Sequence, residues 1–572
     1  MTLAVTAPLL GPGYLLLRDA VSTPRSYLSD AALGLTQAAP RALPQDFFVA
    51  TASTVVDGGV VVKALLILGL WLAGWGAARL AGVVLPESGI AGQCVAATIA
   101  IWNPYVAERL LQGHWSLLVG YGCLPWVAAT VLSLRRGSPK LHSARENSRK
   151  GRMECSFGRV CALLFWLALA GLTPTGLMLA ATIAMACALA PGAGRPRWWC
   201  AGLSLGAAVT AALPWLLASA LSGGWAPDQS AGVAAFAARA EPGLATFGSL
   251  ASLGGIWNAD AVPPSRTTLF AVVSAVVLVG IVVVGAPQLL RRRAAAPLVI
   301  VAVLAVVVPA LMATGPGLSL VEAMIDAVPG LGVIRDGQKW VALAMPAYAL
   351  GGAAAILTVR PRVPALATAA VCCAALIATL PDLAWGVGGR VSPVAYPTGW
   401  TAAAAVVNAD PAPVAVLPVD SMRQFRWAGE APVLDPLPRW VRADVLGTGD
   451  LTIGGVTVPG DGSRARAIQQ MLTTGAARDE LAAAGVGWVV VENPGGAPDL
   501  ALPVAFRDDD LAVYRVGGDT PGSPHRGIML GAHAVWLGQL LLGLLGMTVA
   551  RLRSRHAHRR HEDMQRPQSG DQ

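Results

Sequence analysis

Carboxylates that can accept a proton and cations that can hold a phosphate recur in this chain at the edges of long apolar runs. Asp19 directly follows the run TLAVTAPLLGPGYLLL, and Asp46 sits in LPQDFF. An ionisable group beside an apolar run is costly unless it lines a polar cavity, which separates Asp19 from ordinary loop acids such as Asp30. Asp57, before Gly58 and Gly59, reads as a turn acid. The stretch IWNPYVAERLLQGHW (101–115) gathers Glu108, Arg109 and His114 between aromatic residues suited to a membrane interface. That trio fits either structural ion pairing or substrate contact. GVIRDGQKW (332–340) brings Arg335, Asp336 and Lys339 together just before another apolar run. Arg335 offers a planar fork and Lys339 a point charge for a phosphate, and a helix N-terminus there would add to the pull on an anion. A lipid phosphate is the natural partner; a self-neutralising surface network is the plain alternative. GGIWNADAVPPSR (254–266) adds Trp257 and Asn258, a pair that suits carbohydrate stacking and hydrogen bonding and equally an interfacial loop.

The elements that must position these residues follow from composition. Mean hydropathy is +0.57 and only 13% of residues are charged, against about 25% in soluble domains. A bilayer-spanning helix needs roughly 20 mostly apolar residues, and such runs lie at 2–17, 60–83, 88–102, 115–134, 159–172, 176–191, 199–221, 267–288, 296–314, 340–358, 363–380 and 528–550. The fold class expected is therefore mostly α: a polytopic helical membrane protein of about twelve transmembrane helices.

The net charge of +9 comes from short basic segments between those runs, such as RRGSPK (135–140), ARENSRKGR (144–152), GRPR (194–197), RRR (291–293), RPR (360–362) and RLRSRHAHRRH (551–561). Short Lys/Arg-rich loops stay cytoplasmic. Twelve crossings from a cytoplasmic N-terminus put all of these on one side, with both termini. The charge then reports topology in a plasma membrane, not nucleic-acid binding, for which interleaved aromatics are lacking. The same parity sends 18–59, 103–114, 222–266, 315–339 and 381–527 to the outside, and with them every candidate residue above.

The segment 381–527 changes character. VAVLPVD (414–420), VGWVVVEN (486–493) and LAVYRV (511–516) read as strands, and 463–485 reads as helical. The domain plan is a transmembrane domain at 1–380, a small extracytoplasmic α/β domain at 381–527, a final helix at 528–550 and a basic cytoplasmic tail at 551–572. The eight cysteines lie in apolar runs or basic loops, without zinc-ligand spacing. No phosphate-binding glycine loop, dinucleotide fingerprint or zinc-hydrolase motif appears in a supporting context.

GYLLLRDAVSTPR, LPQDFF, WNPYVAERLLQGHWSLLVGYGCLPW and GVIRDGQKW, in that order, resemble the GT-C superfamily of membrane glycosyltransferases, in particular actinobacterial arabinofuranosyltransferases and mannosyltransferases. LPVDSMRQFRW and LAAAGVGWVVVE are similar to the C-terminal parts of such enzymes. The resemblance implies transfer, with inversion, of arabinofuranose or mannose from a polyprenyl-phosphate donor to an envelope glycan or glycolipid acceptor on the extracytoplasmic face. It makes Asp19 the general base on the acceptor hydroxyl. Asp46 is the second catalytic candidate, because family members often carry a paired acidic motif where this chain has single acids. Glu108, Arg109, His114, Trp257, Asn258, Arg335, Asp336 and Lys339 become substrate-binding candidates. Membrane lipid is a further partner. It fixes no cofactor, and a divalent cation is left open. A lipid or polysaccharide transporter and a non-catalytic envelope-assembly scaffold are the competing readings.

Overall fold

The computed structural model describes residues 1–36, 42–136, 147–221, 232–328, 330–418, 420–453, 455–460, 462–494 and 500–565. Residues 137–146, which hold parts of two basic segments used for sidedness, and 222–231, the start of one expected outer loop, lie outside them.

Among the described residues six helices are long and apolar enough to cross a membrane, or up to eight if each of two bent pairs is one span. The six are Gly58–Val84, Trp115–Arg136, Arg197–Leu221, Phe270–Leu290, Gly337–Val359 and Arg526–Arg553. The bent pairs are Ala296–Met312 with Gly315–Ala327, at 94°, and Ala365–Ala378 with Pro381–Gly388, at 77°. The helices are those of a polytopic helical protein, and the expected count of about twelve is not confirmed among the described residues. The apolar run 2–17 is not a span: its helix Thr2–Thr6 passes into a 3-10 turn, Ala7–Leu10, and stops at Gly11. Pro8, Gly11, Pro12 and Gly13 explain the break, since proline removes a helical donor and glycine pays the largest entropy. The run 88–102 forms Gly89–Ile101, 13 residues, about 20 Å long against a hydrocarbon core of about 30 Å. Ser156–Ala170 and Pro174–Ala188 are apolar but likewise short. With the first span gone, the even count that placed both termini on one side no longer follows.

The helices sort the connecting segments by end. Gly58–Val84 begins where Asp57 caps Val60 N–H and accepts from Tyr14 (2.9 Å). It ends where the Arg136 guanidinium donates to the Val83 carbonyl. Trp115–Arg136 runs from the candidate His114 to the same basic end, where Arg135 O accepts from Gly194 N–H (2.7 Å). Arg292, past Phe270–Leu290, meets Glu87 there at 3.1 Å. Among the described residues, Arg135, Arg136, Gly194 and Arg292 thus gather at one end of the bundle and the candidate residues at the other.

At that second end sits the α/β domain. Its five-stranded sheet runs Val504–Arg507, Leu511–Arg515, Trp488–Glu492, Val414–Leu417, Val445–Leu446 in spatial order. The last three are parallel to one another and the first two join antiparallel. Side chains alternate between two cores: Val414, Val416, Trp488, Val490, Leu511 and Val513 face Trp400 and Trp440, while their neighbours face Ile468 and Leu472 on the expected helical segment. That segment is two helices, Ser463–Thr473 and Arg478–Ala483, parted at Gly475 (φ 77°). Leu16 and Val21, from the far N-terminus, belong to the first of these cores.

Candidate active site

Asp19 sits at the tip of a two-stranded hairpin, Leu16–Leu17 with Ala20–Val21, whose two-residue turn is Arg18–Asp19. Arg18 takes a left-handed φ of 48° to close it. The turn is held from both sides. Arg18 N–H donates to Pro432 O (3.1 Å) and Arg18 O accepts from Leu434 N–H (2.8 Å), while Asp19 N–H donates to Gln112 O (3.2 Å). The Arg18 guanidinium adds bonds to Leu111 O and Asp260 O. Asp19 is therefore wedged between the α/β domain and the helix Pro104–Leu111, not perched at the end of a span.

Pro104–Leu111 begins with Asn103, whose side chain accepts from Val106 N–H, and with proline at its first position. It carries Glu108 and Arg109 inward, both fully buried. Arg109 donates to both oxygens of Asp336 (2.9 and 3.1 Å), to Gln338, and to His114 Nδ1 (3.0 Å). A guanidinium has no acceptor, so Nδ1 must accept and the imidazole proton lies on Nε2. Nε2 then donates to Asp19 Oδ2 at 2.9 Å. Gln112 Nε2 donates to the same oxygen (3.0 Å), its amide oriented by Asn258 Nδ2 (2.8 Å).

The electrostatics agree with that proton placement. Burial pushes the His114 pKa below the usual imidazole value; the Asp19 carboxylate opposes this, but Arg109 and Lys339 add to it. The ring is neutral near pH 7. Burial would raise the Asp19 carboxyl, but bonds from His114 and Gln112 and the Lys339 charge outweigh it and hold the carboxyl below its ordinary value. Asp336 is likewise depressed: burial is overcome by Arg109 and Lys339. Glu108 goes the other way. Burial, then the charge of Glu241, raises it well above the usual range despite N–H donors from Gly255 (3.1 Å) and Ile256 (3.2 Å) and the amide of Gln338 (2.9 Å). Glu241 is itself raised by burial and is ion-paired to the buried Arg266. The rise reflects crowding: three buried carboxyls, Glu108, Glu241 and Asp336, share two guanidinium groups, Arg109 and Arg266.

Asp19 also lines a cavity of about 530 Å³ between the N-terminal segment and the α/β domain. Its side chain is 41% exposed. Seven aspartates line the cavity, among them Asp19, Asp46, Asp420 and Asp444, with three arginines, Arg423, Arg439 and Arg464. Asp46, on the helix Gln45–Ala52, is paired with Arg439 at 3.2 Å.

Of the ten candidates, Asp19 and Asp46 face this cavity. His114 touches Asp19, and Glu108, Arg109, Asp336 and Asn258 support it through the network. Lys339 lies 3.5 Å from Asp336. Arg335 points elsewhere: its guanidinium stacks on Phe236 (5.3 Å), which packs edge-on against Trp257 (4.8 Å). Arg335 and Lys339 thus have different neighbours, an aromatic ring for one and a carboxylate for the other. Among the described residues no three His, Cys, Asp or Glu side chains converge as metal ligands. Sequence reasoning missed Glu241, Arg439 and Asp444, which sit in segments without motif character, and Arg423, which lies in LPVDSMRQFRW but was not singled out there. Comparison of the chain with family models, curated proteins and solved structures finds no match in any of the three.

Proposed function

We propose that the protein is a membrane glycosyltransferase in which Asp19 is the general base on an acceptor hydroxyl and the donor is a lipid-borne phosphosugar. One observation carries this reading. An ionised, partly exposed carboxylate, oriented by a neutral histidine and an amide, lines a ligand-sized cavity at the end of a bundle of apolar helices. A base needs to reach the proton it abstracts and to be unprotonated, and Asp19 satisfies both. His114 and Gln112 are positioning residues that fix its rotamer. A lipid phosphate is already an adequate leaving group, so the remaining requirement is a cation near the site. Lys339 supplies that charge, at the mouth of a span where a lipid headgroup would lie. An arabinofuranosyl- or mannosyl-phosphate polyprenol donor and an envelope glycan acceptor are the substrates to try first, with the cavity on the extracytoplasmic face.

The test is turnover of radiolabelled polyprenyl-phosphate arabinofuranose and mannose by the purified protein in nanodiscs. Asp19→Asn keeps the shape and hydrogen bonds of the side chain but cannot take up a proton at neutral pH. Turnover should fall by about 10²–10⁴ with donor binding retained. Full activity in Asp19→Asn would end the assignment of the base, and no turnover of either donor by the wild-type protein would end the transferase reading.

A further inference from the structure

The cavity beside Asp19 has a second wall with its own chemistry. It runs along the edge strand Val445–Leu446, from Asp444 before it to Gly447 and Asp450 after it. An edge strand presents unladdered backbone N–H and C=O groups on its outer side. The neighbouring turn after Val414–Leu417 contributes Asp420 and Arg423. Crevices at the carboxyl ends of parallel strands are where open α/β sheets take ligands.

The charges in this wall decide what kind of ligand fits. Each of the three arginines is already engaged. Arg423 binds Glu492 and Asp435, Arg439 binds Asp46, and Arg464 donates to Ala484 O and Thr520 Oγ1. Two of the acids are also neutralised by cations, Asp30 by Arg526 and Asp450 by Arg466. Asp420 and Asp444 are different. Asp420 accepts from Met422 N–H (3.2 Å) and Asp444 from Ala31 N–H (3.2 Å), and among the described residues neither forms an ion pair. With Asp19, which accepts from the neutral donors His114 and Gln112, they are three carboxylates facing the cavity with no cation within ion-pair distance among the described residues. A phosphate entering here would meet net negative charge. A neutral polyhydroxylated ligand would donate its hydroxyls to carboxylate oxygens, the stronger class of hydrogen bond. The volume of about 530 Å³ is in the range of about 300–1,000 Å³ typical of small-ligand pockets.

We propose that the α/β domain builds an uncharged saccharide subsite in this cavity, with Asp420 and Asp444 as hydroxyl acceptors, so that the acceptor glycan enters from the domain side. The placement of that saccharide as the acceptor rests on the transferase reading; its binding does not. A phosphosugar headgroup then approaches Asp19 from the opposite side, where Lys339 lies.

Binding is measured without donor, by saturation-transfer difference NMR on the full chain in nanodiscs. The probes are a short neutral methyl oligomannoside or oligoarabinofuranoside, the same sugar carrying a phosphate ester, and its amino-sugar analogue. The neutral glycoside should bind and the phosphate ester should bind more weakly. Asp444→Asn and Asp420→Asn should each weaken the neutral probe about tenfold, the loss expected for a hydrogen bond to a charged group. Asp479→Asn, an exposed acid on Arg478–Ala483, should leave it unchanged. Tighter binding of the phosphate ester, binding of the amino sugar alone, or indifference to both cavity substitutions overturns the proposal. Glycoside binding in a protein without turnover would keep the subsite and sink the transferase. Turnover without any effect of Asp420→Asn or Asp444→Asn on acceptor affinity would do the reverse.

Discussion

Replacing Arg109 with methionine tests whether the buried network is what sets the geometry at Asp19. The guanidinium is fully buried and serves both oxygens of Asp336, Gln338 and His114 Nδ1. Methionine fills a similar volume, so the cavity left is small and the cost is electrostatic. Asp336, 6% exposed, would keep only the ammonium of Lys339 at 3.5 Å. Removing one partner of a buried ion pair costs about 3–5 kcal/mol. Asp336→Asn should cost a similar amount, because it strands Arg109. The double substitution removes both charges and should cost less than the sum, with a coupling of about 0.5–3 kcal/mol. Reversible unfolding in a graded SDS titration of mixed micelles reads these differences. A second readout is specific to the wiring. Burial will still depress the His114 pKa, but the repulsion from Arg109 disappears, so its titration should move upward in histidine-labelled NMR spectra of Arg109→Met. A cost below about 1 kcal/mol with strict additivity and an unmoved His114 titration would refute the network.

Three further outcomes follow from the same geometry. Glu108 has a raised folded pKa, so its stabilisation is complete below the ordinary glutamate pKa and is lost as pH rises through the folded value; Glu108→Gln, which mimics the protonated form, should unfold at the wild-type midpoint only below the ordinary glutamate pKa and lose less stability than wild type as pH rises in the same titration. A Cβ at Gly122 would lie 2.2 Å from Gly69 O, so Gly122→Leu must part Gly58–Val84 from Trp115–Arg136, and its detergent-solubilised yield and thermal stability should fall sharply where Gly202→Leu, with open space around it, is tolerated. On a cysteine-depleted background, Val55→Cys, at the candidate-site end and 88% exposed, should react with an impermeant maleimide in intact cells while Glu87→Cys, at the basic end, should not; the opposite pattern would put the cavity in the cytoplasm.

Composition and charge placement determined the class of this protein, because apolar runs of bilayer length have few other uses and basic loops mark one side. The short, continuously apolar runs in VAVL, WVVVE and LAVYR were enough for the strands, since a sheet packed on both faces needs apolar residues at every position. Hydropathy alone could not tell that residues 2–17 turn back: the run is apolar enough, and only the conformational cost of Pro8, Gly11, Pro12 and Gly13 breaks it. That fold-back decided the site. It carries Leu16 and Val21 into the core of a domain some four hundred positions away and leaves Asp19 at a hairpin tip between that domain and Gln112. The residue types around Asp19 were legible in AERLLQGH and IRDGQK, because charged groups next to apolar runs stand out against a low background. Their pairings were not legible. Arg109 had Glu108, Asp336 and His114 as partners to choose from, and Arg335 and Lys339 read as two halves of one phosphate site. Direction within a buried network is fixed by which side chains the packing brings within about 3 Å, and that depends on long-range contacts no local spacing encodes. The acid-rich wall facing Asp19 belongs to this second kind: Asp420 stands in LPVDSMRQFRW and Asp444 in no motif, and the two share a cavity only where the domain closes over the N-terminal hairpin.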